Sequence, residues 1–88
     1  MATFRVLLTS EAQDDFRRLT PEIRTRLLDK LAWLGENATL LRHQALQGAA
    51  WDGCFKYRVG NYRIIYLLDS TELTLTILKV KHRREVYR

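Results

Sequence analysis

The segment from Phe55 to Tyr66, FKYRVGNYRIIY, constrains the fold most, because it fixes a turn and a strand register together. β-forming residues flank Gly60-Asn61, which is typical of two strands joined by a two-residue hairpin loop. Counting outward from that loop pairs Arg58 with Arg63. Like charges directly opposite each other destabilise a sheet. The hairpin therefore either tolerates a local fault or presents its two guanidinium groups to an anion.

Two helices are predicted to follow a short N-terminal strand, Phe4 to Leu8. The first should begin at Ser10, which fits a capping box with Gln13. The second should begin at Thr20-Pro21, because threonine caps helices and proline suits the first helical position. Gly35 is a plausible end for it. Apolar residues at helical spacing along both segments predict that the helices fold back on each other as a hairpin.

The region from Glu36 to Gly53 is predicted to be mostly loop, anchored to the core by Leu40, Leu41 and Leu46. After it the period changes to two: the hairpin is followed by a turn at 69–72 and a strand that ends near Val80. The 88 residues then form one domain, 1–88. The predicted class is α+β: an N-terminal strand, an α-helical hairpin and a three-stranded antiparallel meander, with one sheet covered by helices on one face.

Composition excludes several classes of protein. An apolar fraction of 47% with 28% charged residues is ordinary for a globular domain. The apolar runs are far shorter than the roughly 20 residues of a membrane span, and no secretion signal is visible, so a cytoplasmic protein with no membrane contact is expected. The single Cys54 cannot form an internal disulfide and is interpreted as a buried thiol. The spacing of the histidines suggests no metal site, and no cofactor is expected.

The net charge of +5 lies mostly in the C-terminal part of the chain. Residues 51–88 hold eight Lys/Arg against four Asp/Glu, whereas residues 1–50 hold seven against six. A basic excess concentrated in one part favours a polyanionic partner, either nucleic acid or an acidic protein segment. The alternative is that the basic tail only aids solubility.

Three cations should share one face of the hairpin. Strand alternation places Lys56 and Arg58 on the same face, and the two-residue turn adds Arg63. Neighbouring positive charges favour the neutral amine of Lys56, which makes this lysine a candidate base. The alternative is a solvated strand face whose long side chains splay apart.

The tail is predicted to extend this set. A strand that ends near Val80 would carry KHRREVY back beside its neighbours, adding His82, Arg83, Arg84 and Tyr87. Guanidinium groups bind phosphate oxygens, titratable groups move protons, and aromatic rings stack on unpaired RNA bases. Each of these residues alone would more often be an ordinary surface or packing residue.

The run LQGAAWDGCFKYRVGNYRIIYLLD followed by LTILKVKHRREVYR resembles the RelE/ParE superfamily of toxins from type II toxin–antitoxin systems. The layout of strand, helical hairpin and meander is also similar over nearly the whole chain. The resemblance to RelE implies a metal-independent endoribonuclease that cleaves messenger RNA in the ribosomal A site. It implies a cognate antitoxin as partner, with oligomers formed only through that antitoxin. ParE-type members share the fold and poison DNA gyrase, which leaves a gyrase poison or a non-catalytic protein-binding module as alternatives.

Residue by residue, the RelE pattern matches Lys56 and Arg58 on one strand, Arg63 on the next and Tyr87 in the terminal EVY. The family pattern has a further basic residue after the last strand. His82, Arg83 or Arg84 could occupy that position, because the spacing of the tail departs from the family pattern by about one residue. The predicted catalytic set is Lys56, Arg58, Arg63, His82, Arg83 and Tyr87. The predicted RNA-binding set is Lys79, Lys81, Arg84 and Arg88.

Overall fold

A computed structural model of the protein describes residues 3–46 and 53–84. In these two segments the chain forms two helices and one five-stranded sheet, which confirms the predicted α+β class. The strands stand in the order β1-β5-β4-β3-β2; β1 and β5 are parallel, and the other neighbours are antiparallel. The elements are β1 (Arg5–Leu8), α1 (Ser10–Arg17), α2 (Pro21–Asn37), β2 (Gln44–Ala45), β3 (Cys54–Val59), β4 (Tyr62–Asp69) and β5 (Thr74–His82).

The hairpin register is the predicted one. Val59 pairs with Tyr62 and Arg58 with Arg63, so the loop contains only Gly60-Asn61. Gly60 has a φ of +59°, a conformation that glycine adopts without steric cost. A positive φ at the first loop position alone is the pattern of a type II′ turn, whose twist matches that of the flanking strands.

Both helices begin with a threonine cap. The Thr20 hydroxyl accepts from the N–H of Ile23, and Pro21 follows it, as predicted. The first helix is capped by Thr9, whose hydroxyl accepts from the N–H of Ala12, so the capping box at Ser10 was wrong by one residue. Thr9 also donates to the carbonyl of Leu78, and this contact with β5 is what selects it as the cap.

Gly35 does not end α2, which runs on to Asn37. The glycine is buried, and its carbonyl accepts from the N–H of Phe4 at 2.9 Å. A Cβ at this position would lie 2.7 Å from the carbonyl oxygen of Phe4. Gly35 is therefore needed for the close approach of the chain that enters β1.

The main core lies between the two helices and one face of the sheet. Ala12, Phe16, Leu27, Leu31 and Leu34 pack there against inward-facing residues of the strands: Ile64, Tyr66, Leu75, Ile77 and Val80. The opposite face of the sheet carries a smaller buried cluster of Leu46, Cys54 and Ile65. This cluster confirms that Cys54 is buried.

The segment between α2 and β3 differs from the prediction in two ways. It contains β2, which pairs with β3 at the partners Gln44/Lys56 and Ala45/Phe55. Its leucines also diverge: Leu46 is buried and Leu41 packs against the core, but Leu40 is 62% exposed and anchors nothing. None of the helices in the described residues is long and apolar enough to cross a membrane.

Candidate functional site

Lys56, Arg58 and Arg63 lie on the face of the sheet that the helices do not cover. Arg58 and Arg63 are direct partners across β3 and β4, and Lys56 lies two residues from Arg58 on the same strand. Together with Gln44 and Tyr57, the three cations line one cavity of about 200 Å³. We call it the basic cavity. The predicted convergence of these three side chains is therefore present.

The positive charges that line the basic cavity favour the binding of an anion. Within the described residues, the salt bridges involve neither Lys56 nor Arg58. Nε of Arg58 donates to the carbonyl of Gly60 at 3.2 Å, which fixes the base of that guanidinium group beside the turn. Nε of Arg63 is buried. Cations held at the wall of a partly enclosed cavity attract phosphate oxygens more strongly than the same groups in open solvent.

Lys81 and Lys79 form ion pairs with acidic residues of α1. Nζ of Lys81 lies 2.6 Å from Oδ1 of Asp15 and 3.3 Å from Oε2 of Glu11, and Nζ of Lys79 lies 3.8 Å from the same Glu11 oxygen. The hydrogen bond from Lys81 to Asp15 raises the pKa of the lysine, outweighing the opposing effect of its burial. Lys81 stands directly opposite Arg63 in the sheet. Its charge beside the basic cavity is thus largely balanced by α1.

His82 lies on the other side of the sheet from the basic cavity. β5 continues through His82 instead of ending near Val80, so strand alternation carries on to this residue. His82 is the partner of Tyr62, and the two rings pack edge to face with centroids 5.5 Å apart. The prediction that His82 joins Lys56 and Arg63 in one patch is therefore not met.

The next two residues of the tail are exposed. The N–H of Arg83 donates to the carbonyl of Asn61 at 2.7 Å, which ties the tail to the hairpin loop, and the N–H of Arg84 donates to Nδ1 of His82. Neither residue lines the basic cavity. The remaining predicted residues, Tyr87 and Arg88, lie outside the described residues.

A second cavity of about 200 Å³ adjoins the first and was not predicted. It shares Gln44, Lys56, Tyr57 and Arg58 with the basic cavity and is otherwise lined by Leu41, Arg42, His43 and Tyr66. The signal for it in the sequence is the short alternation in LRHQAL, which is too brief to predict a strand from periodicity alone. Within the described residues, no group of three or more His, Cys, Asp or Glu side chains is placed to hold a metal ion.

Comparison with known proteins identifies the family. The model of the ParE toxin of the type II toxin–antitoxin system parDE matches residues 6–87. Toxin RelG of Mycobacterium tuberculosis is 31% identical over 85 residues, which cover 97% of both chains. This chain belongs to the ParE/RelE family of toxins. It is accordingly the toxin of a type II toxin–antitoxin system.

Solved structures agree with the fold of this toxin. A chain of the toxin–antitoxin complex RelBE2 from Mycobacterium tuberculosis superposes with a TM-score of 0.83 at 28% identity, covering 97% of each chain. The isolated RelE toxin of Escherichia coli gives a TM-score of 0.73 at 24% identity, over 98% of this chain and 92% of that one. A chain of the archaeal RelE–RelB complex from Pyrococcus horikoshii gives 0.75 at 23% identity, over 96% and 99%.

Proposed function

We propose that this toxin is an endoribonuclease that cleaves messenger RNA in the ribosomal A site and needs no metal. The observation that supports the proposal best is the basic cavity, where Lys56, Arg58 and Arg63 meet on one open face of the sheet. One amine and two guanidinium groups are the complement of a phosphodiester: the amine accepts a proton when neutral, and the guanidinium groups bind the phosphate oxygens.

The proposed reaction uses the RNA itself as nucleophile. The 2′-hydroxyl attacks the adjacent phosphorus while Lys56 acts as the base that removes its proton. A bond forms between the 2′ oxygen and phosphorus, and the bond from phosphorus to the 5′ oxygen breaks. The products are a 2′,3′-cyclic phosphate and a free 5′-hydroxyl. His82 points to the other face of the sheet and is not placed to give the departing oxygen its proton, so we assign that proton to water.

Arg58 and Arg63 stabilise the transition state. Negative charge grows on the non-bridging oxygens as the phosphorus becomes five-coordinate, and both guanidinium groups line the cavity in which it grows. The arginines are held in place before the substrate arrives, Arg58 by its bond to the carbonyl of Gly60 and Arg63 by the burial of its Nε. Tyr87 stays a predicted participant, either beside Lys56 or stacked on a base.

The test is cleavage of messenger RNA on programmed ribosomes, followed by mapping of the new 5′ ends. Lys56→Ala should lower the rate by about 100-fold or more, as expected for loss of a general base. Arg63→Ala should lower it by about 100- to 1,000-fold, as expected for loss of a preorganised charge. Arg17→Ala is the matched control, because Arg17 is a highly exposed cation of α1 that does not line the basic cavity. Wild-type rates in both cavity variants would refute the assignment.

The second candidate is a gyrase poison, which is favoured by the match to the ParE family model. Brief induction in cells separates the two functions. Prompt arrest of amino-acid incorporation supports the ribonuclease, whereas DNA damage with translation initially intact supports the gyrase poison.

We also propose that a cognate antitoxin binds and neutralises this toxin. Several similar structures are complexes of a RelE toxin with RelB. The net charge of +5 suits an antitoxin with acidic segments. Coexpression with the product of the neighbouring reading frame should restore growth and yield a complex that is stable on gel filtration.

A further inference from the structure

Two adjoining cavities of this toxin share one wall. Arg63 lines only the basic cavity, and His43 lines only the second cavity. Gln44 is common to both, together with Lys56, Tyr57 and Arg58. A nucleotide has the same two-part form, since a charged phosphate is joined through a sugar to a planar base with hydrogen-bonding edges. The basic cavity fits the phosphate, and the adjoining second cavity is the candidate site for the base.

Gln44 is held directly beside the cations of the basic cavity. It is the antiparallel partner of Lys56, so their side chains leave the same face of the sheet as direct neighbours. β2 is short, but it is secured beyond its end, where the N–H of Leu46 donates to the carbonyl of Cys54 at 3.0 Å. Leu46 is itself buried. The register that places Gln44 opposite Lys56 is therefore fixed by packing as well as by the ladder.

His43 fixes the chain that enters β2. Its Nε2 lies 2.7 Å from the carbonyl oxygen of Ala38, and its Nδ1 lies 2.6 Å from the hydroxyl of Tyr66. A carbonyl only accepts, so Nε2 carries a proton, and in the neutral ring Nδ1 accepts from the Tyr66 hydroxyl. The ring also packs against Phe55 and Tyr66, with centroids 5.5 and 5.6 Å away. His43 thus joins the end of α2 to the buried centre of β4 and acts as a positioning residue for Gln44.

The side-chain amide of Gln44 is available for a ligand. The residue is exposed, and within the described residues its side chain makes no hydrogen bond. An amide offers both a donor and an acceptor, whereas the lysine and arginines of the cavity offer donors only. Base edges carry donors and acceptors in patterns that differ between the four bases, and a side-chain amide can pair with such an edge in two hydrogen bonds.

We propose that the second cavity receives the base next to the scissile phosphate and that Gln44 reads its edge, so that Gln44 determines which RNA positions are cut. This inference rests on the proposed ribonuclease function. Tyr57 and the fixed His43 ring supply walls against which a base packs, and Lys56 lies between base and phosphate. Specificity arises because a mismatched edge leaves the amide or the base unpaired in a partly enclosed site.

The first arm of the test measures kcat/KM on ribosomes whose A-site codons differ at one nucleotide at a time. Wild-type toxin is compared with Gln44→Met, which keeps the length of the side chain but has no amide, and with Gln13→Met on α1 as the matched glutamine control. The ratio between the best and worst base should fall by about five-fold or more in Gln44→Met. It should be unchanged in Gln13→Met. An unchanged ratio in Gln44→Met overturns the inference and leaves the ribonuclease assignment intact.

The second arm measures binding without cleavage. Short single-stranded RNAs carrying 2′-O-methyl groups cannot form the cyclic phosphate, and their dissociation constants are measured for each base by fluorescence anisotropy. If wild-type toxin cuts nothing but binds with a base preference that Gln44→Met loses, the ribonuclease assignment fails and the base-reading role holds. If it binds the RNAs without preference, or if Gln44→Met keeps the preference of the wild-type toxin, the base-reading role is overturned.

Discussion

Replacement of Asp15 by alanine should be far more costly than the same change at Asp14, its neighbour on α1. Asp15 is buried, its side chain only 4% exposed. Its Oδ2 accepts from the N–H of Val80 at 2.9 Å, and its Oδ1 accepts from Nζ of Lys81 at 2.6 Å. Asp14 pairs with Arg17, but the two side chains are 55% and 71% exposed. The two aspartates thus differ in burial and partners while sharing a helix.

The expected magnitudes follow from what each change leaves behind. Asp15→Ala leaves the Lys81 ammonium group, which is 19% exposed, with only its longer contact of 3.3 Å to Glu11, and a buried pair broken on one side costs about 3–5 kcal/mol. The N–H of Val80 also loses its acceptor, since β1 pairs with β5 only as far as Ile77. Partial hydration of Lys81 and its remaining contact with Glu11 both reduce the sum, so we expect a loss of about 3 kcal/mol. Asp14→Ala should cost about 0.5 kcal/mol or less.

Urea denaturation at neutral pH, followed by circular dichroism, measures both free energies of unfolding. Asp15→Asn separates the two contributions, because it keeps an acceptor for Val80 and removes the charge. Lys81→Met combined with Asp15→Ala should recover part of the loss, since the lysine charge is then removed together with its buried partner. The reasoning is refuted if Asp15→Ala and Asp14→Ala differ by less than about 1 kcal/mol, a gap smaller than the combined loss of the Val80 hydrogen bond and of the buried Asp15–Lys81 ion pair would give.

Two further predictions concern stability. Burial raises the pKa of Tyr66 to about 12, and a hydrogen bond to a carboxylate raises the pKa of Lys81. Above about pH 10 the unfolded chain therefore binds fewer protons than the folded protein. The free energy of unfolding should therefore fall as the pH rises beyond 10, and Tyr66→Phe should flatten that fall in denaturation curves taken at each pH. Gly35→Ala should destabilise the protein by about 1–3 kcal/mol, although alanine is the better helix former, because its Cβ meets the carbonyl of Phe4. Glu36→Ala, on the exposed side of the same turn, should be nearly neutral by thermal denaturation, and equal effects of the two alanines would contradict the argument.

The parts of the fold that were predicted correctly depend on local interactions. The register of β3 and β4 follows from the length of the Gly60-Asn61 loop, because a two-residue turn leaves only one pairing. That pairing alone brings Arg58 and Arg63 together, and strand alternation adds Lys56. The core of the candidate site was therefore predictable from a dozen consecutive residues.

The parts that were missed depend on contacts between distant segments. Thr9 displaces Ser10 as the helix cap because it also bonds to Leu78, which is 69 residues away in the chain. The lysines of β5 find their carboxylates on α1 across a similar distance. His43 becomes a structural element through the hydroxyl of Tyr66. Neither periodicity nor spacing carries information about such pairs.

The position of the acidic residues around the sheet helps to explain why the like-charge pair of Arg58 and Arg63 in the hairpin is tolerated. α1 brings Glu11 and Asp15 to the lysines of β5 and balances their charge beside Arg63. Within the described residues, no carboxylate is supplied in the same way to Arg58. Opposing Arg58 to Arg63 costs about 0.2–1 kcal/mol, a penalty that one acidic residue at either position would remove. The two arginines are useful together when they bind an anionic ligand. A preorganised charge stabilises a transition state by several kcal/mol, which is more than the cost of pairing the two arginines.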